Sequence, residues 1–173
     1  MKDSKSIKFI VLSVLVIAMV VPFVSCSGEE AIDIDLIDLS NYIESKLDFG
    51  DFINIAESES GIEKMRNEFT IKEENTAQSV LMVSLNINSS EMLLFAEVVD
   101  KGSVKEIENI LKQRKSDILR GLKDYDANPD NEAQYYIVDA SKIIIKGNYI
   151  FWVVHSEQTE INNMIDEFIK ENS

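Results

Sequence analysis

Twice along this chain, two short runs of β-branched and aromatic residues flank a polar turn, and a helix-spaced apolar stripe follows. The first pair is Val80–Ile87 and Met92–Val99, parted by Asn88-Ser89-Ser90, which reads as a hairpin. Gly102 and Ser103 close it and are placed to cap a helix. That helix, Ser103–Leu122, carries Val104, Ile107, Leu111, Ile118 and Leu122 on one stripe. The second pair is Ile143–Ile145 and Tyr149–His155, with Lys146-Gly147-Asn148 as a tight turn in which Gly147 supplies positive φ. Glu157–Ser173 follows, with Ile161, Met164, Ile165, Phe168 and Ile169 at helical spacing. Strands followed by helices, without strand–helix–strand alternation, predict an α+β fold. The expected core is an antiparallel sheet built from two strand-strand-helix units, at about 79–122 and 141–171, with helices on one face. The runs are nearly continuous in apolar residues, so much of the sheet should be buried. Between the units, Lys123–Gln134 reads as a polar break turning at Asn128-Pro129-Asp130, and Tyr135–Val138 as extended or one helical turn.

An N-terminal helix precedes the sheet. Within Ala31–Leu47, Ile34, Ile37, Leu39, Ile43 and Leu47 recur at largely helical spacing. Asp33, Asp35 and Asp38 suit the start of a helix, where negative charge is favoured. Their D-x-D-x-x-D spacing lacks the glycine and distal glutamate of a calcium loop, so no metal is assigned there. In the less regular stretch Asp48–Gln78, Phe49, Phe52, Ile53 and Ile55 predict a short inward-packing segment. Gly61–Phe69 predicts a short helix with Ile62, Met65 and Phe69 on one face, and Glu73 is placed as a capping partner for a following turn.

The extreme N-terminus has the layout of a secretory signal. Lys2, Lys5 and Lys8 form a basic region, interrupted by Asp3. Phe9–Val24 is an uncharged, mostly apolar run, and small Ser25 and Cys26 follow. At about 16 residues the run falls short of the roughly 20 that a membrane span needs. Phe23-Val24-Ser25-Cys26 resembles a bacterial lipobox, with phenylalanine where leucine is usual. Such a signal implies cleavage between Ser25 and Cys26 and diacylglyceryl attachment to the Cys26 thiol. Two acyl chains anchor stably where one does not. The rival is an uncleaved N-terminal anchor. Cys26 is the only cysteine and His155 the only histidine, so a disulfide is excluded and the side chains for a structural zinc site are lacking. The expected organisation is a signal peptide at 1–25, the lipidated cysteine and a short tether at 26–32, and one α+β domain at 33–173. From Ser27 to Ala31 the tether reaches less than about 20 Å. The domain is thus expected at the extracytoplasmic face of the cell membrane, held through Cys26.

Residues 1–25 hold three lysines and one aspartate. Of the chain's 17 basic and 31 acidic residues, 14 and 30 remain beyond them, a net charge of −16. Such a surface repels phosphate backbones, which argues against nucleic acid as a partner. It also repels anionic headgroups, so the tether and not the surface would hold the domain at the membrane. No cofactor motif is present.

Several stretches carry a family resemblance. They are NSSEMLLFAEV with Glu91 opening a strand, the long helix holding Arg114 and ending near Tyr125, and KGNYIFWVV at Lys146–Val154 directly before a terminal helix. With the lipobox in front, the chain resembles small Gram-positive lipoproteins of the family called domain of unknown function 4358, over about Asp33–Ile169. The resemblance implies a membrane-tethered extracytoplasmic domain and no particular chemistry.

Candidate residues are few. His155 sits at a strand end without G-x-S-x-G or another nucleophile signature, and reads as a surface histidine. Tyr149 and Trp152, three apart in one strand, belong on opposite faces, with Trp152 in the core. Glu91 and Arg114 form the pair of most interest: either a partly exposed structural ion pair or a polar contact that sets a binding surface. No catalytic set is assigned. Two functions remain open. One is a lipid-anchored binding or interaction module, meeting an envelope protein, a wall component or a small ligand. The other is a cell-envelope hydrolase using a carboxylate pair held about 5–10 Å apart.

Overall fold

The computed structural model describes residues 32–47, 49, 51–124 and 129–172. The signal segment with Ser25, Cys26 and the tether up to residue 31 lie outside the described residues, as do Tyr125 and the turn residue Asn128.

Asp35 starts the first helix. Its carboxylate accepts the N–H groups of Ile37 (2.7 Å) and Asp38 (3.0 Å), which an N-cap requires, and α1 runs Leu36–Lys46. Leu36, Leu39 and Ile43 are buried, whereas Ile37, expected on the same stripe, points outward. The short strand β1 is Phe52–Asn54, and here Ile53 also faces out instead of inward. Ser58 caps α2 (Glu59–Phe69) by accepting from the Gly61 N–H at 3.0 Å. A single 3₁₀ turn follows at Glu73–Asn75, and the Asn75 side chain caps it by accepting from the Lys72 N–H at 2.8 Å; the Glu73 side chain, expected as a capping partner, lies outside the described residues.

The first hairpin comprises β2 (Thr76–Ser84) and β3 (Met92–Val98). The long helix α3 spans Lys101–Asp124. Asp100 stands at its start, where Gly102 and Ser103 were expected. The Asp100 carboxylate accepts from the Gly102 N–H (2.9 Å) and the Ser103 hydroxyl (3.2 Å). Next comes α4 (Pro129–Ala140), which takes up residues 129–134 of the polar break expected at 123–134. Proline is suited to a first helical position. The β-forming run Tyr135–Val138 is overruled by packing, because Val138 is buried and Ile137 half-buried against the core. Lys115 of α3 donates to the carbonyls of Asp139 and Ser141 where α4 ends, so the helix is tied off by a cation from its neighbour. The second hairpin is β4 (Lys142–Lys146) and β5 (Tyr149–Val154), and α5 (Gln158–Asn172) closes the chain. Gly147 has φ +60° and comes first of the two turn residues, the place where type II′ hairpins require glycine.

The five strands form one antiparallel sheet in the order β1-β2-β3-β5-β4. At its centre Leu94 lies opposite Trp152 and Phe95 opposite Phe151. The sheet is covered on both faces, not one. On one face Leu81, Leu94, Ile150 and Trp152 pack under α2, α3 and α4. On the other Met82, Phe95, Tyr149 and Phe151 pack under α1 and α5. The cause is legible in β3 and β5. Every residue of β5 is buried, as is all of β3 except half-buried Glu97, and a strand apolar on both sides needs two covers. The helices of the two strand-strand-helix units therefore serve opposite faces. Residues 32–173 make one compact unit. Among the described residues, no helix is long and apolar enough to cross a membrane.

Candidate functional site

The connection from β2 to β3 is braced from within. Asn86 accepts from the N–H groups of Asn88 through its side chain (3.1 Å) and of Ser89 through its carbonyl (2.9 Å). The Ser90 N–H donates to Gln134 of α4 at 2.6 Å, which pins the connection to a helix 44 residues away. This bracing holds two apolar side chains in water: Leu85 is 57% exposed and Ile87 94%. An ordinary loop tip has little reason to present both.

Between this connection, α2 and α3 lies a groove of about 460 Å³. Phe69, Val83, Met92 and Ile118 give it apolar walls, and Ile87 contributes to its lining. Its polar groups are Lys64 and Glu68 from α2, Arg114 from α3, and Glu91 with Ser84, Ser89 and Ser90 around the connection. Helical spacing brings Lys64 and Glu68 together, at 3.2 Å. The other Glu68 oxygen accepts from Arg114 Nη2 at 2.6 Å, so one carboxylate joins two cations.

Glu91 and Arg114 thus share a groove, but no ion pair joins them; the acid that meets Arg114 is Glu68. Glu91 instead accepts from the Ser156 N–H (3.1 Å), ahead of α5, and from the Ser89 hydroxyl (3.3 Å). It ties the groove wall to the start of the last helix. Arg114 Nε is buried and has no hydrogen-bond partner among the described residues. A buried unpaired N–H is costly, and the guanidinium edge is suited to a planar acceptor such as a carboxylate. The parts of the Arg114 and Lys64 side chains that stay exposed, beside apolar walls, suit a ligand with an apolar body and a carboxylate or similar acceptor.

The remaining sequence candidates lie elsewhere. His155 follows β5 half-buried, its ring packed on Phe49 (5.2 Å) and Phe52 (5.6 Å), and its Nδ1 accepts from the Glu157 N–H at 3.0 Å. Trp152 is fully buried, edge-on to Phe69, and its Nε1–H donates to Ser141 Oγ at 3.1 Å. Tyr149 is buried on the opposite face, and its hydroxyl meets both the N–H (3.2 Å) and the carbonyl (3.3 Å) of Ile34. Burial, above all, pushes its pKa up. Gln78 adds to this fixture. Its side chain donates to the Ile34 carbonyl (2.8 Å) and to Glu97 (2.9 Å), and accepts from the Leu36 N–H (2.7 Å). Sequence reasoning passed over this network, although Glu97 is the one charged residue inside an apolar strand. Among the described residues, no group of three or more His, Cys, Asp or Glu side chains is arranged to hold a metal ion. Ser25 and Cys26 lie outside the described residues.

A family model described as Domain of unknown function (DUF4358) matches residues 51–155, from the start of the sheet to its last strand. Glu68, Glu91 and Arg114 fall inside the match, and α1 and α5 outside it. No curated protein and no solved structure matches the chain.

Proposed function

The chain belongs to the DUF4358 family, and from that premise we propose that it is a lipid-anchored binding module on the extracytoplasmic side of the cell membrane, which takes its ligand in the Arg114 groove. The observation that carries the binding role is the pair of part-exposed cations, Arg114 and Lys64, in a groove with apolar walls. A carboxylate placed beside Arg114 and Lys64 would gain charge-assisted hydrogen bonds, while its apolar portion would lie against Val83, Ile118 and exposed Ile87. The anchor rests on the lipobox-like run ending at Cys26. The fixture at Ile34 fits such an attachment, because load from a tether would enter the domain close to a bond with the buried strand β5.

Hydrolysis by a carboxylate pair is the weaker reading. Glu68 and Glu91 both line the groove, but Glu68 is held by two cations, and Glu91 by a backbone N–H and a hydroxyl. Neither stands free beside an apolar wall as a general acid would.

Cell fractionation with mass spectrometry of the N-terminus tests the anchor. The wild type is expected in the membrane with an acylated Cys26, and Cys26→Ala in the soluble fraction. A Cys26→Ala chain that stays in the membrane would establish the uncleaved anchor instead.

A further inference from the structure

The outer strand β1 covers only part of β2. It pairs Phe52 with Ser84, Ile53 with Val83 and Asn54 with Met82, and its last contact is the Ile55 N–H on the Leu81 carbonyl at 2.9 Å. The chain then turns away into α2, and residues 76–80 of β2 have no strand on that side. Alternate residues of an antiparallel strand direct their N–H and C=O to opposite neighbours. Leu81 addresses the β1 side, so the Ser79 N–H and C=O point into the gap.

The two edges of the sheet are treated differently. The far edge, β4, begins and ends with Lys142 and Lys146, the charged residues that block strand addition. Thr76-Ala77-Gln78-Ser79 carries neither charge nor proline. A bulge between Thr76 and Gln78 bends the start of β2, so the open run is centred on Ser79.

A groove of about 490 Å³ lies along this gap. Ile62, Met65 and Ile71 line it, and of its exposed charged groups Arg66 and Lys72 are cations and Glu57 an acid. Arg66 forms no ion pair among the described residues, and Lys72 reaches only Glu74, at 3.7 Å. An unpaired arginine is notable in a domain so rich in acids. We propose that this edge receives an extended segment of a partner protein, which adds as a strand beside Ser79. The segment places an apolar side chain against Met65 and Ile71 and a carboxylate on Arg66. Main-chain bonds would supply affinity and the two side-chain contacts would set register. This surface lies on the other side of α2 from the Arg114 groove and does not depend on it.

The test uses the full chain in detergent micelles and blocked seven-residue peptides of alternating threonine and valine with a central aspartate. The apolar positions are varied over valine, isoleucine, leucine and phenylalanine. Binding is read by fluorescence anisotropy, and the Ser79 amide by hydrogen exchange. Binding with slowed exchange at Ser79 is expected. Methylating alternate peptide nitrogens should abolish it, replacing the aspartate by lysine should weaken it, and Arg66→Ala should weaken it roughly tenfold. Ser79→Pro should also abolish it, since proline removes an outward N–H that the fold itself does not use. If that variant misfolds, the methylated peptides decide alone. The proposal is overturned if no peptide slows Ser79 exchange or if methylated peptides bind equally well. Slowing of Ser79 exchange with protein concentration alone would equally overturn it, by making a second copy of the chain the occupant.

Discussion

Tyr149 does two things at once: it fills the core between α1 and the sheet, and it satisfies the backbone of Ile34. Tyr149→Phe keeps the packing and orphans the Ile34 N–H. It should cost about 1–2 kcal/mol in urea unfolding. The hydroxyl also has a pH signature. Its folded pKa is raised, so the native state holds the proton longer than the unfolded chain does. The stabilisation is complete below the unfolded value, near pH 10, and is lost as pH rises through the folded one. Wild-type stability should therefore fall more steeply in alkaline urea titrations than that of Tyr149→Phe. Single residues were legible where local geometry decides. Gly147 follows from the turn, and the opposite faces of Tyr149 and Trp152 follow from the strand period. The partner of Arg114 was not legible. Glu68 lies 46 residues away on another helix, and only the packing of α2 beside α3 selects it over Glu91.

Elements were read well where period and propensity agree, as in both hairpins, α3 and α5. The 12-residue helix α4 was missed because Tyr135–Val138 favours a strand locally, and its helical state depends on a core contact and the Lys115 tie. The corner from β1 into α2 depends on a glycine. A Cβ at Gly61 would overlap the Ile55 carbonyl oxygen, a backbone atom that cannot give way. Gly61→Ala should therefore lose more than about 2 kcal/mol, read from the denaturation midpoint of Trp152 fluorescence. On α3, Lys105 and Lys112 both bond Glu108 and lower its pKa. A lowered carboxylate contributes stability above its unfolded value, near pH 4.3, and loses it as pH falls through the folded one. Such surface pairs are worth a few tenths of a kcal/mol each. Lys112→Ala should thus lower stability slightly at pH 7 and leave no difference near pH 2, measured by urea unfolding at both.

At the scale of the whole molecule, two hairpins joined through the β3–β5 pairing and the short strand β1 form one sheet, which five helices among the described residues cover. The α+β class was legible, because four of the strands come as two hairpins whose partners are adjacent in the chain and pair antiparallel. The two-sided cover was legible only in the unbroken apolar character of β3 and β5, since the order of helices along the chain does not say which face each takes. The result is a closed core with its open features at the margins: a groove under the β2–β3 connection and an unpaired stretch of edge on β2.

The Arg114 groove is proposed to recognise a ligand at the membrane face. A photoreactive benzoylphenylalanine in place of exposed Ile87, in the full chain in its own envelope, tests it most directly. A discrete adduct is expected, reduced roughly tenfold by Arg114→Ala and absent when the probe is moved to Lys142 on the far sheet edge. No adduct at Ile87, or one that forms equally with Arg114→Ala and from Lys142, would contradict it.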